Sequence, residues 1–153
     1  MYIQYNKGDA TNPIGDGNKV ITHICNDIGG WGRGFVLALS NKWKQPEQTY
    51  RSINPKLLTL GLTHIVRVED NIWVANMVAQ RDVITSKNYL PPIRYKAVET
   101  CLKQVKKFAL ANNASIHMPR IGCGLAGGEW SIIESIIKGV FDNTNVRVYV
   151  YDL

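Results

Sequence analysis

Two stretches of the 153-residue chain share one plan, a β-rich run that passes through a glycine-dense loop into an apolar segment. The first is VITHICNDIGGWGRGFVLAL (20–39), with Gly29, Gly30, Gly32 and Gly34; the second is MPRIGCGLAGGEW (118–130), with Gly122, Gly124 and Gly127. Glycine permits positive φ and lets a guest approach the backbone without meeting a Cβ. A helix starting behind such a loop directs unpaired N–H groups and a partial positive charge into it, so each junction is a candidate anion cradle. If the two strands run parallel, their carboxyl ends share the edge at which open α/β sheets take ligands. The plainer alternative is that these glycines only form tight strand-to-helix turns. Two such loops weigh against it.

The rest of the chain fits the same class. β-rich runs occur at 2–5, 20–25, 63–68, 72–80, 115–119 and 146–151, and Glu69-Asp70-Asn71 between the third and fourth reads as a hairpin turn. Helices are expected over 33–43, 46–53, 93–111 and about 129–142. The third is the clearest, with Ile93, Ala97, Cys101, Leu102, Val105, Phe108 and Ala109 recurring at three and four. Strands alternating with helices, plus one hairpin, predict a mixed sheet covered on both faces, in one domain over 1–153. The irregular stretch 82–92 is long enough to be a site loop.

Composition narrows the function. Cys25, Cys101 and Cys123 have neither paired nor metal-like spacing, which argues against a disulfide framework and a zinc site. A net charge of +6 favours anionic partners. The interleaved aromatics and basic stripe of nucleic-acid binders are missing, so no specific nucleic-acid partner is expected. The apolar runs are too short or too interrupted to span a membrane, and the first residues lack a secretory segment. The expectation is a cytoplasmic monomer without a membrane partner. Gly122, Gly124 and Gly127 have the spacing of a dinucleotide-binding turn, but only 31 residues follow Gly122, too few for a second mononucleotide-binding half.

The motifs also resemble a known family. GDAT (8–11), HICNDIGGWGRGF (23–35) and MPRIGCGLAGGEW (118–130) are similar to the ligand segments of macrodomains, α/β/α modules that bind ADP-ribose. The match spans essentially the whole chain. PRIGCGL followed by tryptophan, with Tyr151-Asp152-Leu153 at the close, looks most like the branch containing the terminal ADP-ribose protein glycohydrolases. The resemblance implies a three-layer α/β/α fold around a mixed, mostly six-stranded sheet, with ADP-ribose or an ADP-ribosylated protein as partner and neither cofactor nor metal. It implies a binding site of Gly8, Asp9, Ala10, Asn26, Gly29, Gly30, Trp31, Gly32, Gly34, Gln80, Pro119, Arg120, Ile121, Gly122, Cys123, Gly124, Leu125, Ala126, Gly127 and Tyr151. In it Asp9 accepts from the adenine amino group, Tyr151 lies against the ring, residues 122–126 offer N–H groups to the pyrophosphate, and Gly30, Trp31 and Gly32 shape the distal-ribose pocket. Alternatively, Asp9 is a turn residue and Tyr151 a core aromatic.

The same resemblance implies hydrolysis of ADP-ribose from acidic side chains or related esters; a non-catalytic module and an ADP-ribose 1″-phosphate phosphatase share the pocket. The branch's catalytic lysine falls at Gln80, or Arg81, and its aspartate at Ala126, and neither Gln nor Ala can do that work. Asp27 is the candidate base for an attacking water, or else caps the turn. Asn26 would meet ribose hydroxyls, and Cys123 could be a nucleophile if its pKa were depressed, although a small packed residue is the commoner role. His23, His117, Trp43, Trp73 and Trp130 read as packing residues.

Overall fold

The computed structural model describes residues 2–81, 92–124 and 126–153. The site loop expected over 82–92 therefore falls almost wholly outside the described residues, as does Leu125. Among the described residues the order is β1 (Tyr2–Lys7), β2 (Asn18–Asn26), α1 (Phe35–Lys42), α2 (Gln45–Arg51), β3 (Thr63–Glu69), β4 (Ile72–Gln80), α3 (Tyr95–Asn112), β5 (Ala114–Met118), α4 (Trp130–Val140) and β6 (Arg147–Asp152).

The strands form one sheet in the order β1-β6-β5-β2-β4-β3. The β3–β4 pair is antiparallel because a two-residue turn at Asp70-Asn71 joins it. The other neighbours are parallel. Parallel strands are buried on both faces and need no polar alternation, and in β4 six consecutive residues from Val74 to Ala79 are buried. Their side chains divide between two cores. Ile21, Cys25, Val74 and Val78 pack with Leu39, Trp43 and Tyr50 of the α1–α2 region. Val20, Ala75, Met77, Ile116, Val148 and Val150 pack with Leu102 and Val105 of α3 and Ile133 and Ile137 of α4. The result is the three-layer α/β/α architecture with a mixed six-stranded sheet. Each fully buried aliphatic side chain contributes about 1.5–3 kcal/mol, so these two layers hold the sheet edge in place.

Some boundaries differ from the periodicity. α1 begins at Phe35 rather than 33, because Gly34 at φ 79° keeps the loop going. α3 begins at Tyr95, not 93: Ile93 is drawn into a bridge with Gln80 and gives its N–H to Ala126 O. α3 ends on Asn113 in the left-handed region, φ 48°, and its solvent face carries the Glu99–Lys103 pair at 3.2 Å.

Candidate functional site

Since β1, β2, β4, β5 and β6 run parallel, their carboxyl ends fall on one edge. The register aligns Lys7 with Asp152 and Asn26 with Gln80 there. β2 and β5 are direct neighbours, with Ile21 opposite His117. The two glycine loops therefore leave adjacent strands side by side. The second loop also rests on the strand from which the first one leaves: a Cβ at Gly122 would lie 3.2 Å from Ile24 Cδ1 of β2 and 2.7 Å from Ile93 Cδ1. Behind the loops, α1 and α4 start without a side-chain cap and without an acidic residue in the first turn. The N-terminus of α1, capped by Gly34, keeps the polarity that favours an anion, whereas the N-cap of α4 is Glu129.

The first loop is built around Asn26, which is buried. Its Oδ1 accepts from Ile28 N–H at 3.1 Å, Gly30 N–H at 2.9 Å and the Tyr50 hydroxyl at 2.9 Å, and its Nδ2 donates to Gly30 O at 3.0 Å. This amide thus bonds the loop's own backbone and Tyr50. Glycine is demanded at 30 because a Cβ would sit 2.8 Å from Asn26 Nδ2. Trp31 also turns inward. Its ring packs 5.3 Å from Tyr50 and 5.4 Å from His23, and its Nε1–H reaches Ser40 Oγ, so it anchors the loop to the α1–α2 layer. Asp27 is half-buried at the mouth, its backbone N–H bonded to Gln80 O at 3.0 Å.

In the second loop Gly122 has φ 73°, and its carbonyl accepts from Gly128 N–H at 2.7 Å, which closes the turn. Gly127 also has positive φ, as do Gly29 and Gly34 in the first loop. Gly32 and Gly124 differ: neither has positive φ, and a Cβ at either would meet nothing within 4 Å. Neither backbone strain nor packing asks for glycine there, whereas a guest laid on the loop would. Ile121 and Ala126 are buried, so only their backbones can serve a ligand. Cys123 is half-buried with Sγ 3.5 Å from Ile121 O; burial pushes its thiol up, against a smaller opposing effect of Arg120. The depressed pKa that a nucleophile would need is therefore not found. Arg120 grips Asp152 by two bonds, 2.7 and 3.0 Å, with its guanidinium near the rings of Tyr5 and Trp130. Pro119 leads into this turn, half-buried.

At the β1 end, Gly8 (φ 146°) gives its N–H to Asp152 O at 2.8 Å. Asp9 is exposed, and its Oδ1 accepts from both the N–H and the hydroxyl of Thr11 at 2.8 Å. The expected turn residue is present, at the ligand edge; Ala10 behind it is buried. Tyr151 lies inside, 4% exposed, and its hydroxyl bonds Ile14 N–H and His117 Nδ1.

The two histidines pack as expected, with one difference. His23 Nε2 bonds Asn76 Oδ1, whose own Nδ2 is tied to Pro46 O, and burial pulls its pKa down to about 4. His117 has both nitrogens engaged rather than one, and burial pulls it to about 3. Tyr50, and Ser115 beside His117, were not legible as site residues, since a tyrosine in an amphipathic helix carries no mark of what its hydroxyl reaches. Among the described residues no group of His, Cys, Asp and Glu is placed to hold a metal ion, and no helix is long and apolar enough to cross a membrane.

Similarity to known proteins sharpens this picture. No family model matches the sequence. The chain is 32% identical to an ADP-ribose 1″-phosphate phosphatase of Candida albicans, across 97% of its own length and 99% of that protein. It is 31% identical to the mouse chromodomain-helicase-DNA-binding protein 1-like over 97% of its length, but spans only 17% of that relative. Over 46% of the chain it is 36% identical to the bovine ADP-ribose glycohydrolase OARD1, covering 47% of that protein. A macrodomain protein from Streptomyces coelicolor superposes with a TM-score of 0.83 at 43% identity, covering 99% of both chains. A layered α/β/α fold with its loops at one sheet edge defines the class, and these full-length matches assign the chain to the macrodomain family.

Proposed function

We propose that this protein binds ADP-ribose across the two glycine loops and hydrolyses ADP-ribosyl esters, releasing ADP-ribose from acidic protein side chains or related esters without a metal. The observation that carries the reading is that both loops leave neighbouring parallel strands at one edge. The N–H groups of the second loop cradle the pyrophosphate. Each charge-assisted bond contributes about 1.5–3 kcal/mol, and micromolar affinity needs about 8, so a few such bonds with an adenine contact suffice. Asp9 accepts from the adenine amino group, and the first loop encloses the distal ribose.

Gln80 and Ala126 exclude a lysine adduct and an aspartate acid/base at those positions, so the chemistry falls to water. Asp27 takes a proton from a water that attacks the anomeric carbon; the carbon–oxygen bond to the acyl group breaks, and the side-chain carboxylate leaves. The test is mass spectrometry of a glutamate-ADP-ribosylated protein after incubation. Loss of the modification is expected, and Asp27→Ala should slow it more than it weakens ADP-ribose binding. Retention at stoichiometric protein would leave a binding module. The full-length similarity to the Candida phosphatase favours one second reading, cleavage of phosphate from the same anomeric carbon. Phosphate release from ADP-ribose 1″-phosphate, without deacylation of the modified protein, would decide for it.

A further inference from the structure

Segment 8–17 leaves the carboxyl end of β1, carries Asp9, and returns to the start of β2. Its ends are secured. Gly8 N–H bonds Asp152 O, Lys42 Nζ donates to Thr11 O, and Gly17 O accepts from Lys19 Nζ and Asn71 Nδ2. Its middle is held from below, where Ile14 N–H meets the Tyr151 hydroxyl at 3.0 Å.

The direction of the bonds beneath follows from proton counting. A backbone N–H can only donate, so the Tyr151 oxygen accepts from Ile14, and His117 Nδ1, 2.7 Å away, is the acceptor within reach of its own proton. A neutral His117 then bears its proton on Nε2, which donates to Ser115 Oγ at 2.8 Å; Ser115 in turn faces Asn18 O at 3.4 Å. Burial keeps the imidazole neutral, so this polarity persists through ordinary pH. The Tyr151 ring is correspondingly occupied. It is 4% exposed and lies along His117 with centroids 5.7 Å apart and planes 29° from parallel.

We propose that Tyr151 is a positioning residue, setting the Asp9 segment for adenine through its hydroxyl, rather than a platform against which the base stacks. The inference rests on the ADP-ribose reading above. Asp9 spends one carboxylate oxygen on Thr11, so where the carboxylate points depends on the turn at 9–12, and that turn is held by what fixes the segment further on. Ile14 is the described clamp between Thr11 and Gly17.

The Tyr151→Phe substitution separates the two roles, because it keeps the ring and removes only the hydroxyl. Affinities for ADP-ribose and for its hypoxanthine analogue, which lacks the exocyclic amine, are compared by calorimetry. The wild-type protein is expected to prefer ADP-ribose by about tenfold or more, the worth of a hydrogen bond to a charged group. In Tyr151→Phe that ratio should collapse toward unity while the affinity for the analogue changes little. An unchanged ratio, or an equal loss for both ligands, overturns the positioning role. A wild-type protein that binds ADP-ribose but does not discriminate overturns it too and leaves the parent reading standing, whereas no binding of either ligand removes the parent reading itself. The latch is also visible without a variant. Ile14 is 44% exposed, and its amide is bonded to the Tyr151 hydroxyl. Exchange at least about a hundredfold slower than an open amide is expected in the ligand-free protein, and fast exchange would overturn the proposal.

Discussion

Replacing Gly124 and Gly122 by alanine, one at a time, separates glycines required by the fold from glycines required by a guest. At Gly122 the φ of 73° costs an alanine about 1–2 kcal/mol. The added methyl would also stand 2.7 Å from Ile93 Cδ1 and 3.2 Å from Ile24 Cδ1, and overpacking of a tight site costs about 1–3 kcal/mol. Because Ile93 ends in a flexible methyl, the lower half of that range applies, and Gly122→Ala should lose about 2–4 kcal/mol in urea unfolding followed by tryptophan fluorescence. At Gly124 neither term exists. Unfolding should stay within about 0.5 kcal/mol of wild type, or rise slightly through a stiffer unfolded chain. In the proposed complex its methyl would instead project over the loop toward the pyrophosphate and displace one charge-assisted bond, so the Kd for ADP-ribose should rise about ten- to a hundredfold. Gly124→Ala with wild-type affinity would refute the cradle, and a Gly122→Ala protein as stable as wild type would refute the packing reasoning.

Other outcomes follow from the same geometry. Tyr50→Phe deletes the hydroxyl that reaches Asn26 O at 2.6 Å and Oδ1 at 2.9 Å; stability should fall by about 1–2 kcal/mol, and calorimetry should show ADP-ribose losing more affinity than ADP, which lacks the distal ribose. Asn26→Ala strands two loop N–H groups and should cost more than Tyr50→Phe in the same unfolding assay. His23 and His117, with pKa values near 4 and 3 in the folded chain against 6.5 unfolded, make stability complete above pH 6.5 and progressively lost as pH falls toward 4. The unfolded chain binds the extra protons there, and the loss at pH 5 should be about 2 kcal/mol per histidine. A flat stability profile between pH 7 and 5 would contradict their burial as neutral groups.

The strands, the hairpin and the two glycine loops could be read from the chain because each rests on local chemistry: β-branched runs, a polar two-residue turn, and clustered residues without Cβ. The starts of α1 and α3 could not, since Gly34 prolongs a loop through its own φ and Ile93 is claimed by Gln80 and Ala126, partners distant in sequence. The inward turn of Tyr151 could be stated from the sequence only as one of two alternatives. In RVYVYD valines and tyrosines alternate, and a period of two separates the faces of a strand without saying which is covered. Here both are, Val148 and Val150 by the α3–α4 layer and Tyr151 by segment 8–17. Asn26 shows the same limit. An asparagine at a loop mouth suits a ribose or its own backbone equally, and three donors converging on Oδ1 become visible only in three dimensions.

The shared grip of the two loops is tested most directly by titrating the 15N-labelled protein with ADP-ribose and following backbone amides. Gly29 to Gly34 and Gly122 to Gly128 should shift together, saturating with one affinity and one equivalent of ligand. Shifts confined to one loop, or gathered at the opposite edge of the sheet, would contradict a single guest held between β2 and β5.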